Sequence, residues 1–219
     1  MKSKVEKHFD SVSQDYDYYK RKNSFYYDNL KKLLGELIPK NQDVLEIGCG
    51  TGDLLASLKT INGYGYDISS EMIRLAKKKH HFNKNLKFST KLPKTQLLNT
   101  IFMADVIEHL EKPKETFTQI SKLMNKKTKL VITMANPIWE PLLMFWERLG
   151  LKMPEGPHKR ITNKKLQKAI EGSGMKVSEH DYRLLIPVNI PLITYIANKY
   201  LEKYLKKLAF IEYFVAVKA

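Results

Sequence analysis

Residues 44–55 contain the residue types with the clearest chemical meaning in this chain. An apolar run at 44–47 predicts a buried strand, and Gly48, Gly50 and Gly52 lead from it into a helical pattern. These glycines leave no side chains between a ligand and the main chain, and a strand, a glycine-rich turn and a helix in this order are typical of a nucleotide site. We therefore expect a nucleotide-like ligand here.

The spacing of the glycines narrows the choice of ligand. A dinucleotide fingerprint needs glycines at the first, third and sixth positions, and the sixth position from Gly48 is Asp53. The spacing therefore disfavours a nicotinamide dehydrogenase. With Glu46 two residues before the first glycine, the segment closely resembles the first motif of class I S-adenosylmethionine (SAM) methyltransferases. The resemblance implies that this part of the SAM site consists of Glu46, Gly48, Cys49, Gly50 and Gly52.

A second part of the site is expected one strand later. Residues 63–67 predict a short strand that ends in Asp67, about 20 residues after the glycine turn, where a carboxylate can bind both ribose hydroxyls. The resemblance implies that Ile68 packs on the adenine and that Met72, on the next helix, completes this side. Asp67 could instead cap that helix, a role that Ser69 could also fill, and both functions of Asp67 are compatible.

A third motif lies at residues 102–110, after an apolar strand. Its Asp-x-x-Glu-His-Leu pattern resembles the segment after the fourth strand of the same superfamily. The resemblance implies that Ala104 and Asp105 lie near the methionine end of SAM and that Asp105 and His109 face the acceptor. Alternatively, Glu108 and His109 begin a helix, with a half-buried histidine whose hydrogen bonds are satisfied.

Three residues are candidates for a direct role in catalysis. A base with a pKa near neutrality would help to deprotonate a hydroxyl or carbon acid, and His109 is the first candidate and His158 the second. Residues 9–17 resemble the N-terminal gate of ubiquinone-pathway and related small-molecule methyltransferases. Within that gate, we expect the Tyr16 ring to face the sulfonium of SAM.

Composition limits the cellular context. The chain has 219 residues and a net charge of +15, which favours nucleic acid, an anionic membrane or an acidic substrate as a partner. No apolar run of membrane-spanning length and no secretory signal follow the start, so we expect a cytoplasmic protein. The single cysteine, Cys49, excludes an internal disulfide and a cysteine metal cluster, and its place in the turn favours packing over nucleophilic chemistry. We expect no metal site.

Alternating strands and helices predict an α/β fold with a doubly wound, mostly parallel sheet. The expected strands lie near 43–48, 63–67, 86–89, 99–104, 129–135, 176–188 and 209–218. The expected helices lie near 24–38, 52–59, 70–81, 113–125 and 162–173. The resemblance implies a Rossmann-like methyltransferase sheet of seven strands in the order 3-2-1-4-5-7-6, with strand 7 antiparallel.

We expect one methyltransferase domain over 1–219, with additions at three places. Residues 1–40 would form an N-terminal helical gate, and insertions at 136–160 and 189–208 would form a cap over the acceptor site. The first insertion carries both tryptophans. In the second, aromatic, aliphatic and lysine residues predict an amphipathic helix over 190–208, a pattern that suits a membrane interface. The alternative, that both insertions pack on the core and on each other, is favoured somewhat over membrane contact.

These features predict a SAM-dependent methyltransferase that acts on an O or N atom of a small or lipid-like acceptor by in-line displacement, with S-adenosylhomocysteine as the product. An RNA (tRNA) methyltransferase is one alternative, suggested by the positive charge. It is weakened because Asn136-Pro137 follows the fifth predicted strand and lacks the aromatic residue of an Asn-Pro-Pro-Tyr-like motif. A non-catalytic, SAM-binding regulatory subunit is another alternative. The sequence leaves the oligomeric state open.

Overall fold

The computed structural model describes residues 2–94, 97–150, 153–154, 156–157, 159 and 161–219. Seven strands form one sheet in the order 3-2-1-4-5-7-6. They are β1 (Asp43–Ile47), β2 (Asn62–Tyr66), β3 (Leu86–Ser89), β4 (Thr100–Ala104), β5 (Lys129–Ala135), β6 (Met175–Arg183) and β7 (Ile211–Lys218). The first five pair in parallel, and β7 runs antiparallel to both β5 and β6. The expected fold class and strand order are confirmed.

Helices cover both faces of this sheet. They are α1 (Lys4–Lys22), α2 (Ser24–Leu37), α3 (Asp53–Ser57), α4 (Ser70–Lys79), α5 (Pro113–Leu123), α6 (Glu140–Arg148), α7 (Asn163–Glu171) and α8 (Ile193–Ile196). On one face, apolar residues of α2, α3 and α4 form a core with the sheet, and on the other face α5 and α7 do so. Burial of these two apolar surfaces drives the doubly wound arrangement.

Strand register brings the predicted motifs to one edge. Ile47 pairs with Tyr66 on one side and with Met103 on the other, so β1, β2 and β4 end at the same level. The glycine turn, Asp67 and Asp105 follow these three ends directly. This edge is the carboxyl edge of the parallel strands, where doubly wound sheets bind ligands.

Two expectations about the C-terminal part need correction. The strand expected at 176–188 ends at Arg183, because Leu184 has a positive φ of 65° and leaves the pleated conformation. The amphipathic helix expected over 190–208 is broken into three short pieces, which are α8, a π turn at Ala197–Leu201 and a 3-10 turn at Lys206–Leu208. Its Glu202 and Asn198 side chains accept from the Leu184 and Ile186 amides, and these bonds compete with a continuous helix. The Thr194 hydroxyl donates to the Val188 carbonyl.

The two tryptophans of the first insertion occupy different places. Trp146, on α6, lines the large cavity at the carboxyl edge. Trp139 instead donates its indole N–H to the main-chain oxygen of Leu208 (2.8 Å) and packs against Phe210. Only one of them therefore lies where a cap over the acceptor would need it. The Leu208 contact also shows that the two insertions touch each other.

Candidate active site

The glycine turn is held by its own backbone hydrogen bonds. The amides of Gly48 and Cys49 both donate to the carbonyl of Tyr66, at 2.7 and 3.0 Å. A Cβ on Gly48 would lie 2.4 Å from a methyl carbon of Val106, and one on Gly50 would lie 2.9 Å from the Tyr16 ring. Both glycines also have positive φ angles. The turn therefore needs glycine to let these side chains close over it.

Asp67 is tied to the turn from the neighbouring strand. Its carboxylate accepts hydrogen bonds from the amides of Gly50 (2.8 Å) and Ser69 (2.9 Å). The helix cap is a different residue, since the Ser69 hydroxyl accepts from the Met72 amide. Burial raises the pKa of Asp67, and the two amide donors oppose that shift. Asp67 is thus a fixed acceptor at the cavity wall.

Glu46 and Cys49 lie beneath the turn. The Glu46 carboxylate accepts the amide of Leu55 at the start of α3 (3.1 Å), and burial raises its pKa to about 8. Burial likewise raises the pKa of the Cys49 thiol, which stays protonated. This protonation agrees with a packing role for Cys49 in the turn.

Tyrosine rings from the N-terminal helices face the same cavity. Lys20 places its ammonium 4.7 Å from the centre of the Tyr16 ring and 5.1 Å from that of Tyr27. Burial, followed by the charges of Asp67 and Glu46, raises the pKa of the Tyr16 phenol, which stays neutral. These two ring faces are a surface that accepts a cation.

Asp105 follows β4 with a left-handed backbone (φ 55°), a conformation that aspartate tolerates better than most residues. Its carboxylate accepts the hydroxyl of Tyr26 at 2.7 Å. Four residues later, Nδ1 of the His109 ring lies 3.3 Å from the carbonyl of Pro157, and Phe9 packs edge-on against the ring. Since a carbonyl only accepts, Nδ1 is the donor in this contact.

A single cavity of about 450 Å³ joins these groups. Of the residues singled out in the sequence, its lining contains Tyr16, Glu46, Gly48, Cys49, Gly50, Asp67, Ile68, Met72, Ala104, Asp105 and His109. Gly52 does not belong to the lining: it caps α3, and a Cβ there would meet Phe88 and His80. Its expected contact with the cofactor therefore has no support in this geometry. His158 lies outside the described residues.

The lining also contains residues that the sequence analysis did not select. Lys20, Tyr26 and Tyr27 come from α1 and α2, and Phe210 lies just before β7. Lys20 could have been found from its spacing. It follows Tyr16 by four positions, so on a helix the two side chains share one face, and that face was expected to meet the cofactor. No local pattern marks Phe210, which reaches the cavity only because β7 is inserted beside β5.

Comparison with known proteins identifies the family. A model described as a methyltransferase domain matches residues 17–180. The chain belongs to this methyltransferase family. It is a SAM-dependent methyltransferase, as the sequence motifs predicted.

Relatives and solved structures resemble this methyltransferase to different extents. The demethylmenaquinone methyltransferase of Chlorobaculum tepidum is 37% identical over 92 residues, and the match covers 36% of this chain and 37% of the relative. A Haloferax volcanii protein solved with the Trm112 methyltransferase activator has a TM-score of 0.72 at 14% identity, covering 98% and 97% of the two chains. Magnesium protoporphyrin IX methyltransferase of Synechocystis, with bound SAH, has a TM-score of 0.61 at 16% identity and covers 98% of both chains.

The cavity fits SAM, the cofactor of this methyltransferase. The Asp67 and Asp105 carboxylates and the Glu46 carboxyl group line the cavity, where SAM would bring a sulfonium and an ammonium group. The Tyr16 and Tyr27 ring faces already accept the cation of Lys20. Asp67 lies beside the glycine turn, where ribose hydroxyls can donate to it. Charge, ring faces and hydrogen-bond acceptors are thus those that SAM requires.

Proposed function

We propose that this methyltransferase transfers the methyl group of SAM to an O or N atom of a small, lipid-like acceptor. The observation that carries the proposal is an apolar part of the cavity wall. This wall is formed by Leu110, Leu143, Trp146, Met153, Pro187 and Phe210. Such a surface favours an apolar acceptor with few polar groups.

The sequence relatives support this acceptor class. The curated relatives carry demethylmenaquinone in their name, and the match covers just over a third of their length. An acceptor of this type would be delivered from a membrane surface. The matched region therefore supports a lipid-like acceptor without identifying it.

When bound, SAM supplies an electrophilic methyl group that an acceptor lone pair takes in one displacement. His109 is the base in this proposal, because its ring lines the cavity and an imidazole nitrogen can take a proton from the acceptor. The contact between Nδ1 and the Pro157 carbonyl orients the ring. Tyr26 holds the Asp105 carboxylate in place. Helices α1 and α6 cover the cavity and keep water from the acceptor.

The test is a transfer assay with methyl-labelled SAM. The purified full chain is incubated with an extract of its own cells, which is then separated into lipid, RNA and small-molecule fractions. Label in a lipid or apolar small molecule is expected, and analysis of the product identifies the methylated atom. An Asp67→Asn variant is the control for SAM-dependent labelling.

Other outcomes would replace this proposal. Label in RNA, with binding to tRNA that weakens as salt rises, would establish the RNA methyltransferase alternative. SAM binding without labelling of any fraction would favour a regulatory subunit. A methyl group on carbon would refute the proposed acceptor atom.

A further inference from the structure

The 189–208 segment turns its polar side chains inward. The Thr194 hydroxyl is buried, and Asn198 and Glu202 are half-buried. All three bond to main-chain atoms of residues 184–190, at 2.7 to 3.1 Å. These bonds fix the segment with its small and polar side against the protein, the reverse of a water-facing amphipathic element.

The outward side of the same segment is apolar and aromatic. Leu192 is 70% exposed and Tyr204 is 75% exposed, with Ile193, Tyr195, Tyr200 and Leu205 also exposed. Leu192 has a positive φ of 64°, a strained conformation for a bulky residue that is found mostly at functional positions. A contiguous apolar surface of this kind marks an interaction site.

Lysines frame this apolar surface. Lys199 lies over the rings of Tyr195 and Tyr200, and Lys203 lies 4.7 Å from the ring of Tyr204. Lys207 is exposed near the end of the segment. Glu202, the only acidic residue of 189–208, is turned inward. Tyrosine rings with lysine ammonium groups beside them suit the boundary between water and anionic headgroups.

The surface adjoins the cavity. Trp139, immediately before α6, donates to Leu208 of the segment, and with Leu185, Ile186 and apolar residues of the segment it lines an apolar cleft of about 510 Å³. Pro187, just before the segment, and Leu143 of α6 line the active-site cavity. The outer side of α6 adds the exposed Phe145. The family match covers residues 17–180, so the segment lies outside the matched region.

We propose that the 189–208 segment, together with the outer side of α6, docks this methyltransferase on an anionic lipid surface. Charge complementarity favours anionic lipid over a second copy of the chain. If two copies met at this surface, the lysines of one would face the lysines of the other. The docking surface itself does not depend on the proposed acceptor; only its role in delivering a lipid-like acceptor rests on the proposed function.

Vesicle sedimentation tests the docking. The full chain is mixed with vesicles of phosphatidylcholine alone, or of phosphatidylcholine and phosphatidylglycerol in equal parts. We expect binding to the anionic vesicles that weakens with salt. Lys199→Glu, Lys203→Glu and Lys207→Glu together should reduce it at least tenfold. The matched control, which changes the exposed lysines Lys122, Lys126 and Lys127 to Glu at the opposite edge of the sheet, should bind nearly as wild type.

The apolar contribution is tested separately. Leu192→Ser with Tyr204→Ser should reduce binding to anionic vesicles, whereas Phe82→Ser, at an apolar residue that is 85% exposed elsewhere, should not. Equal binding of wild type and the 189–208 variants, or no binding to either vesicle, would overturn the proposal. So would a dimer in solution that the Ser variants dissociate, since a second copy would then cover the surface.

These readouts separate docking from catalysis. Vesicle binding without methylation of any extract fraction would leave the docking surface in place and refute the proposed function. Methylation of a lipid by a chain that binds no vesicle would support the proposed function and refute the docking surface.

Discussion

Asp67 connects the glycine turn with the expected ribose position through two amide hydrogen bonds. In Asp67→Asn, an amide NH₂ must face one of these donors and the charge is lost. A hydrogen bond to a charged group contributes about 1.5–3 kcal/mol, so SAM affinity should fall roughly 10- to 100-fold. Calorimetric titration measures this, with Asp28→Asn on the exposed side of α2 as the control. Unchanged affinity would exclude Asp67 from the cofactor site.

We propose that His109 acts on the acceptor rather than on SAM. His109→Ala should lower turnover at least roughly tenfold while the dissociation constant for SAM stays the same, because a general base affects only the chemical step. Single-turnover kinetics measures the rate of the chemical step, and titration with SAM measures the dissociation constant. His81→Ala, at an exposed histidine after α4, is the control. Equal rates in wild type and His109→Ala would remove this residue from the mechanism.

Glu46 predicts a pH dependence of stability. Its folded pKa of about 8 lies above the ordinary value of 4.5, so the folded state holds an extra proton between these values. The free energy of unfolding should therefore fall as pH rises from 5 to 8. The largest possible fall is about 1.4 kcal/mol for each unit by which the folded pKa exceeds the ordinary value. Urea unfolding across this pH range measures the free energy of unfolding, which should fall less for Glu46→Gln than for wild type. Parallel slopes for the two proteins would contradict the assignment.

At the scale of elements, the turn between β1 and α3 depends on backbone conformation. Gly48→Ala places a Cβ 2.4 Å from Val106 at a φ of 74°, so it should destabilise the fold by about 1–3 kcal/mol and weaken SAM binding. Gly35→Ala is a matched control in α2, where nothing lies within 4 Å. It should stabilise the fold by about 0.5–1 kcal/mol. Thermal unfolding of both variants measures the difference.

Adding Val106→Ala to Gly48→Ala separates the two causes. The double variant relieves the clash but keeps the positive φ, so it should recover part of the lost stability. Full recovery would show that φ strain contributes nothing, and Gly48→Ala as stable as wild type would refute the requirement for glycine.

At the scale of the whole molecule, α1 covers the cavity and is attached by two carboxylates. Asp10 accepts the Ser69 hydroxyl (2.6 Å), and Asp17 accepts the Thr51 hydroxyl (2.6 Å) and pairs with Lys79. We propose that 1–40 acts as a gate whose order is coupled to SAM binding. Because α1 carries Tyr16 and Lys20, loosening it removes part of the cofactor site.

Asp10→Ala with Asp17→Ala should speed amide hydrogen exchange in α1 and weaken SAM binding, and SAM should slow that exchange in wild type. Asp15→Ala, at an exposed position on the same helix, is the control. Exchange in α1 that responds neither to SAM nor to these changes would show that the helix is a fixed wall and not a gate.

The apolar surface of 189–208 belongs to the same scale. No helix in the described parts of the chain has the length and apolarity needed to cross a bilayer. The proposed docking therefore depends on side chains that lie in the interface.

Sequence patterns were sufficient where the structural cause is local. The strand before Gly48, the glycine-rich turn after it and the cap at Ser69 each follow from a few neighbouring residues. Strand order and the seven-stranded sheet came from the motif resemblance. In contrast, the break at Leu184 and the fragmented 190–208 helix depend on bonds across the chain, which periodicity does not contain.

The sequence by itself determined the family and the cofactor, and it predicted three chain segments for the cofactor site, because glycine spacing and a carboxylate at a strand end are short-range constraints. The tertiary structure decided which residues line the cavity. It removed Gly52 from the lining, added Lys20, Tyr26 and Phe210, and turned the apolar side of 189–208 outward. These outcomes depend on contacts between residues far apart in the chain, and the energy of such contacts exists only once the sheet and helices have packed together.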